Sequence, residues 1–396
     1  MTVARKMQEF AARSSWIRKM FEEGAKMKAM YGADSVLDFS LGNPDVPPPA
    51  RFGEVLRELA NSDKPGAHAY MPNGGYPYVR ETLARRLATE QEVDLEQGDV
   101  LMTCGAAGAL NLVFKALLDP GDEVMILSPY FVEYEFYIDN HGGRSRVVAT
   151  DREFNLDFAA IEAALCEKTK IVLVNSPNNP TGQIYPQEDI QRLGRLLDSF
   201  ADRCCTSIYL VADEPYRKIV YDGHAVPSIM AATTNSSVVS SYSKDLSLPG
   251  ERIGYAAVHP AMKHKNQLID AMTLANRILG FVNAPALMQR VVEQLQDVSV
   301  DTSIYARRLQ AFCRVLDQAG LEYVKPKGAF YLFPRSPIDD VEFCTLLQEE
   351  KVLAVPGRGF GAPGYFRLAF CVDEKIIERA GPAFTRAMAR ASEKRA

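Results

Sequence analysis

Short apolar runs rich in β-branched residues punctuate the middle of the chain: "DVLMT" (99–103), "EVMIL" (123–127), "SRVVA" (145–149), "IVLVN" (171–175), "IYLVA" (208–212) and "VVSSY" (238–242). Between several of them lie segments with helical spacing, such as "ALNLVFKALL" (109–118) and "EDIQRLGRLLDSF" (188–200). Nearly continuous apolar runs separated by helices predict a mostly parallel sheet buried on both faces. After residue 285 the pattern changes to the long helices "APALMQRVVEQLQ" and "SIYARRLQAFCRVLDQAG", then the strands "GAFYLFP", "KVLAVP" and "YFRLAFC", and a polar helix at the end. Residues 4–31 read as one helix, with Trp16, Met20, Met27 and Met30 or Tyr31 forming an apolar stripe for the rest of the protein or a partner subunit. The expected fold class is α/β. A larger domain spans 46–285, and a smaller α+β domain is built from 1–45 and 286–396.

A chain of 396 residues fits this two-domain division. The net charge of −5, with no block of Lys and Arg, argues against nucleic-acid and membrane partners. Seven scattered cysteines include no C-x-x-C pair, and the five histidines show no zinc spacing. The expectation is a reduced, cytoplasmic protein without a metal. "MTVARKMQEFAARSS" lacks the apolar core of a secretory signal, and no apolar run approaches the roughly 18 residues of a bilayer span. "GFGAPG" (359–364) satisfies G-x-G-x-x-G, but Pro363 interrupts it and a strand follows where a dinucleotide site needs a helix.

Ligands of open parallel sheets bind beyond the carboxyl ends of the strands. Four of the runs end there in chemically specific residues. "VLMT" leads into "CGAAGAL", a small-residue helix start whose free N–H groups suit an anion. "IVLVN" leads into "SPNNPTG", a rigid turn that aims an amide side chain. "IYLVA" leads into "DEPY", and "VVSSY" into Ser243-Lys244, with Arg252 eight positions beyond the lysine. An anion site with an arginine suits a phosphate. A lysine desolvated in a crevice forms Schiff bases with carbonyls. A buried aspartate suits a cationic ring nitrogen. Pyridoxal 5′-phosphate meets all of these demands, whereas a nucleotide offers the lysine no carbonyl.

From about residue 36 to 385 the chain resembles the class I/II aminotransferases, members of the fold-type I pyridoxal-phosphate enzymes. The resemblance rests on "LGNPD", "YMPNGGYPYVR", "GAAGAL", "SPYFVEY", "SPNNPTG", "DEPY", "SYSKDLSLPGERIGY", "GAFYLFP" and "YFRLAFC". It implies a seven-stranded, mostly parallel sheet. It also implies that Lys244 carries the cofactor as a Schiff base and later shuttles the proton, and that Asp213 pairs with the pyridine nitrogen. Asn179 and Tyr216 would hold the ring's phenolate oxygen, and Phe131 would stack on its face. The phosphate would rest on Ala106, Ala107, Ser241 and Arg252, joined by Tyr70 from a neighbouring subunit, which implies a homodimer with shared active sites. Arg367, helped by Gly42 and Asn179, would clamp the substrate α-carboxylate.

The implied reaction is ping-pong transfer of an amino group from an L-amino acid to a 2-oxo acid. Aspartate-specific members of the most similar bacterial subgroup resemble "GGKQAL" at the phosphate turn, where the lysine reads the distal carboxylate. Here Ala107 stands in its place. The expected donor is therefore neutral or aromatic, with glutamate/2-oxoglutarate as partner, unless Arg277 of "LANRILGFVN" supplies the missing charge. A pyridoxal-phosphate lyase on the same fold is the alternative.

Overall fold

The computed structural model describes residues 2–12, 16–62 and 64–395. Twelve strands organise it: β1 (Leu37–Asp38), β2 (Val100–Thr103), β3 (Glu123–Ser128), β4 (Arg144–Ala149), β5 (Thr169–Asn175), β6 (Tyr209–Asp213), β7 (Ser236–Ser241), β8 (Gly254–Val258), β9 (Tyr331–Leu332), β10 (Val352–Leu353), β11 (Val355–Pro356) and β12 (Phe366–Ala369). Seven of them form one sheet in the order β2-β8-β7-β6-β5-β3-β4. All pair in parallel except β8, which is antiparallel to both β2 and β7.

Burial explains why these segments are strands. β2, β7 and β8 are buried at every position, so both faces must be apolar or small and the runs cannot alternate. β4 is the edge. It carries Arg144 and Arg146 and is largely exposed, which suits an unpaired strand flank. The six runs read from the sequence are six of these strands. β8, "GYAAV", is the seventh, and its small residues fit the close approach of β2 and β7. Helices cover both faces. Leu83, Leu87, Leu193 and Leu197 pack on one side of the sheet, and Leu110, Phe114 and Met272 on the other.

A second core forms around β9, β11, β12 and the helix Thr302–Ala319, with Phe312, Phe343, Phe366 and Phe384 fully buried. The chain before the large sheet joins it, because β1 pairs in parallel with β10. Met288, Val291, Val292 and Leu295 belong instead to the core under the seven-stranded sheet. We therefore propose that the division lies after these residues and not at 285.

The N-terminal stretch is helical over Arg5–Ala12 and Trp16–Tyr31. Met20 packs with Val132, Phe333 and Phe360, and Met27 with Val36 and Leu353. Met30 and Tyr31 are exposed, so they leave the expected stripe at the last turn. The Trp16 side chain lies outside the described residues. "GFGAPG" overlaps a single 3₁₀ turn, Gly357–Phe360, that runs on to β12 with no helix following.

Packing is close where β8 crosses the start of the helix Gly105–Leu117. A Cβ at Gly254 would lie 2.5 Å from the Ser240 carbonyl oxygen and 2.8 Å from the Gly105 Cα. Both are backbone atoms that cannot swing aside. Gly254→Ala should lower unfolding stability by about 2–3 kcal/mol in urea titration. Gly250→Ala, with nothing within 4 Å of its Cβ, should stay within about 0.5 kcal/mol of the parent. Equal stabilities for the two variants would contradict this packing.

Candidate active site

Beyond the carboxyl ends of the parallel strands lies a cavity of about 320 Å³. Its wall brings together residues far apart in sequence. Ala106, Ala107, Phe131, Asn179, Asp213 and Tyr216 line it, as do Ser241, Lys244, Arg252, Arg367 and Gly42. Tyr70 does not. It is 89% exposed in this single chain. Arg277 is also exposed, on the helix Lys265–Ile278, and does not line the cavity.

Asp213 is the last residue of β6 and only 6% exposed. Its Oδ2 accepts a hydrogen bond from the Tyr134 hydroxyl at 2.6 Å. Its Oδ1 has no hydrogen-bond partner among the described residues. Burial pushes the carboxyl up to about 7, while the Tyr134 hydrogen bond pulls it down and the neighbouring Glu214 raises it further. A buried oxygen of this kind asks for a donor or a cation from a ligand.

Lys244 follows β7 on the adjacent strand end. Its Nζ donates to the Gly42 carbonyl at 2.8 Å and sits 5.5 Å from the centre of the Phe330 ring. Burial brings its ammonium down to about 8, with Arg367 and Arg252 pushing the same way and Cys371 opposing. Near neutral pH such a lysine keeps roughly a tenth of its population as nucleophilic free amine, far more than an ordinary lysine.

The anion end is built from backbone. The helix Gly105–Leu117 starts at Cys104 without a side-chain cap, which leaves its first N–H groups free toward the cavity. Gly105 has φ +73°, and a Cβ there would meet Arg252 Nη2 at 2.9 Å. The Pro249–Glu251 turn brings Arg252 back to this point, and Arg252 Nη1 donates to the Pro249 carbonyl at 2.9 Å. Ser241 is buried beside it, its hydroxyl facing the Ser243 N–H at 3.4 Å.

At the opposite end Arg367 is 2% exposed in β12. Nη1 donates to Asn179 Oδ1 at 3.1 Å and Nη2 to the Ser40 carbonyl at 2.6 Å, while Nε has no partner among the described residues. Asn179 is held in turn by Asn175, whose Oδ1 accepts from the Asn179 N–H at 2.7 Å and whose amide donates to the Asp213 carbonyl at 2.8 Å. The Tyr216 hydroxyl pairs with that of Tyr331 at 2.9 Å. Gly42 must be glycine, since a Cβ would come within 1.9 Å of the Tyr331 hydroxyl.

Sequence reasoning missed Tyr134, Tyr137, Asn175, Ser243 and Tyr331, all on the cavity wall. Tyr134 and Tyr331 lie inside the quoted segments "SPYFVEY" and "GAFYLFP", so the signal was present without a role attached. Pyridoxal phosphate fits the donor set on these observations. The free Asp213 oxygen suits its ring nitrogen, the uncapped helix with Arg252 its phosphate, and the Lys244 amine its aldehyde.

Comparison with known proteins gives a consistent result. A sequence model of the family "Aminotransferase class I and II" matches residues 34–383. The aspartate aminotransferase of Thermotoga maritima is 33% identical over 369 residues, covering 91% of this chain and 94% of its own. The aspartate/prephenate aminotransferase of Thermus thermophilus is also 33% identical, with coverage of 91% and 92%. The crystal structure of an amino transferase from Eubacterium rectale superposes with a TM-score of 0.95 at 37% identity, covering 98% of this chain and 99% of that one.

The raised Asp213 carboxyl predicts a pH dependence for the cofactor-free chain. The folded state holds this proton more tightly than the unfolded chain. The resulting stabilisation is complete below about pH 4 and is lost as pH rises through about 7. From 3.8 to about 7 the contribution is about 4 kcal/mol. Urea titrations between pH 4 and pH 8 should show the parent losing about this much relative to Asp213→Asn. Parallel pH profiles for the two proteins would contradict it.

Proposed function

The chain belongs to the class I and II aminotransferases and is a pyridoxal-phosphate-dependent enzyme, and on that premise we propose how it works and on what. The reaction moves the amino group of a neutral or aromatic L-amino acid to a 2-oxo acid, with glutamate and 2-oxoglutarate as one partner pair, in ping-pong order. The observation that carries this reading is the charge inventory of the cavity. Its cations are Lys244, Arg252 and Arg367. The first serves the cofactor's aldehyde, the second its phosphate and the third the α-carboxylate common to all amino acids. Among the described residues no further cation lines the wall to take a distal carboxylate, and Ala107, Leu110 and Tyr137 are among the groups that do line it. The relatives above are named for aspartate or for aspartate and prephenate. An aspartate donor would here need a charge from outside this chain's cavity wall.

When bound, pyridoxal phosphate supplies a carbonyl for amine exchange and a protonated ring that accepts the electron pair released at the substrate Cα. Asp213 keeps that ring nitrogen protonated through its free Oδ1. Asn179 and Tyr216 donate to the ring's phenolate oxygen, and Phe131 covers one ring face. The N–H groups of Ala106 and Ala107 hold the phosphate with Ser241 and Arg252. Arg367 would hold the α-carboxylate with Gly42 and Asn179, at the end of the cavity opposite Arg252. Lys244 would hold the cofactor's aldehyde and, as a free amine, would serve as the base and acid that moves the Cα proton.

Tyr70 reaches the phosphate of a neighbouring subunit in the proposed homodimer. In support, its segment packs on the end of the helix Lys265–Ile278 through the Asn276 amide and the Asn73 carbonyl at 2.7 Å. That helix end also exposes Leu274 and Ile278. Among the described residues no helix is long and apolar enough to cross a membrane.

A half-reaction screen tests the reading. Each amino acid is mixed with the pyridoxal-phosphate form while its visible absorbance is followed, and products are analysed. Neutral or aromatic amino acids should discharge the colour fastest and yield their 2-oxo acids. Aspartate as the fastest donor would overturn the donor assignment, and release of ammonia with pyruvate would make the enzyme a lyase. Lys244→Ala should slow the half-reaction at least about a thousandfold.

A further inference from the structure

The segment between β1 and the first helix of the large domain has no regular structure, yet its first four residues, Phe39 to Gly42, are all held through their backbone. Arg367 Nη2 donates to the Ser40 carbonyl at 2.6 Å, Cys371 Sγ to the Leu41 carbonyl at 3.4 Å and Lys244 Nζ to the Gly42 carbonyl at 2.8 Å. Three successive carbonyls thus face the carboxylate arginine, the lysine and a buried thiol. Gly42 is wedged against the Tyr331 hydroxyl with no room for a Cβ.

The two ends of the segment are tied differently. The upstream end continues the β1 pairing, with the Phe39 N–H donating to the Leu353 carbonyl at 3.0 Å and the Phe39 carbonyl accepting from Ala369 at 2.8 Å. The downstream end is tied by side chains, with the Ser247 hydroxyl donating to the Val46 carbonyl and an ion pair at Asp45. Arg308 Nη1 and Nη2 donate to Asp45 Oδ1 and Oδ2 at 2.6 and 2.8 Å. Arg308 comes from the helix Thr302–Ala319, and its side chain is 10% exposed. A two-pronged arginine–carboxylate pair fixes direction as well as distance.

We propose that the Arg308–Asp45 pair is the latch that sets the Ser40–Gly42 carbonyls against Arg367, which makes Arg308 a positioning residue for the carboxylate end of the amino acid. The proposal rests on the reading of Arg367 as the α-carboxylate clamp. With Nη2 parked on Ser40 and Nη1 on Asn179, the Arg367 fork points in one direction and offers Nε to a ligand. Without the latch, the downstream half of the segment keeps only the Ser247–Val46 bond. Gly42, the end of the carbonyl run nearer to Asp45, then loses its fixed placement, while Ser40 keeps its own ties to Asp38. The groups that do the proton chemistry stay where they are, because Asp213 and Lys244 are carried by β6 and β7 and Tyr134 by its own helix.

The test uses the pyridoxal-phosphate form of the full chain and the amino acid that the parent consumes fastest. Single-turnover half-reactions give a limiting rate and a half-saturating concentration, and a cofactor titration gives cofactor affinity. Arg308→Met and Asp45→Asn should each raise the half-saturating concentration about tenfold, a loss of the size expected when an orienting ion pair is removed. The limiting rate should stay within about threefold and cofactor affinity should be unchanged, with the double variant no worse than either single one. Arg308→Lys, which keeps the charge and loses the fork, should fall between. If Arg308→Met fails to fold, the near-isosteric Asp45→Asn carries the test.

A fall in limiting rate at unchanged half-saturation, a loss of cofactor affinity, or additive effects in the double variant would overturn the latch. Arg367→Lys is the control. If it raises half-saturation while the Arg308 and Asp45 variants do not, the latch alone is wrong. If it leaves half-saturation unchanged, the clamp reading falls and takes the latch with it.

Discussion

Asp213 stands at the end of a central strand with one carboxylate oxygen held by Tyr134 and the other without a partner among the described residues. Removing a carboxylate from water this completely costs several kcal/mol unless something positive or donating compensates. The fold could have neutralised the group with a lysine or arginine of its own. It has placed its cations elsewhere on the cavity wall, with Lys244, Arg252 and Arg367 spaced around the space that Asp213 faces. The wall thus presents one unpartnered buried carboxylate oxygen and three separate cations. The cofactor of this enzyme family carries a cationic ring at one point and a phosphate at another, and those complement the two kinds of charge the wall presents.

Parallel strand order does most of the positioning. β5, β6 and β7 are neighbours in the sheet, so the turn after Asn175, the carboxylate of Asp213 and the lysine after Ser241 emerge side by side from one edge. β8 then runs back antiparallel between β7 and β2, which carries Arg252 to the start of the helix Gly105–Leu117. The second core contributes from the other side. Arg367 enters on β12, Tyr331 on β9, and the Ser40–Gly42 carbonyls on the segment between β1 and the large domain. In the proposed reading the chemistry sits on the sheet and recognition on the second core, and the hydrogen bonds of Arg367 and Lys244 bridge the two.

Much of this was legible in the sequence for a physical reason. Strands buried on both faces leave continuous apolar runs, and residues that break such a run at its carboxyl end stand out. Asp213 after "IYLVA" and Lys244 after "VVSSY" were visible on that ground. β8 was harder to read, because a strand squeezed between two others uses glycine and alanine and carries little hydrophobic signal. Tyr134 was illegible as a partner of Asp213. It sits on a helix 79 residues away, and only the crossing of that helix over the strand ends brings its hydroxyl to the carboxylate. Arg308 and Asp45 are likewise ordinary charged residues in sequence, 263 positions apart. Met30 and Tyr31 continue the apolar spacing and are exposed on this chain, with the Tyr31 ring centre 4.6 Å from Lys351 Nζ. Met288 to Leu295 misled because a helix pattern does not say which of two cores it will join.

The central claim is that one lysine, Lys244, faces the cofactor's aldehyde in this cavity. Borohydride reduction of the pyridoxal-phosphate-loaded chain, followed by peptide mass mapping, tests it most directly. The account predicts a phosphopyridoxyl group on Lys244 and on no other lysine. An adduct on a different lysine, with Lys244 unmodified, would contradict it.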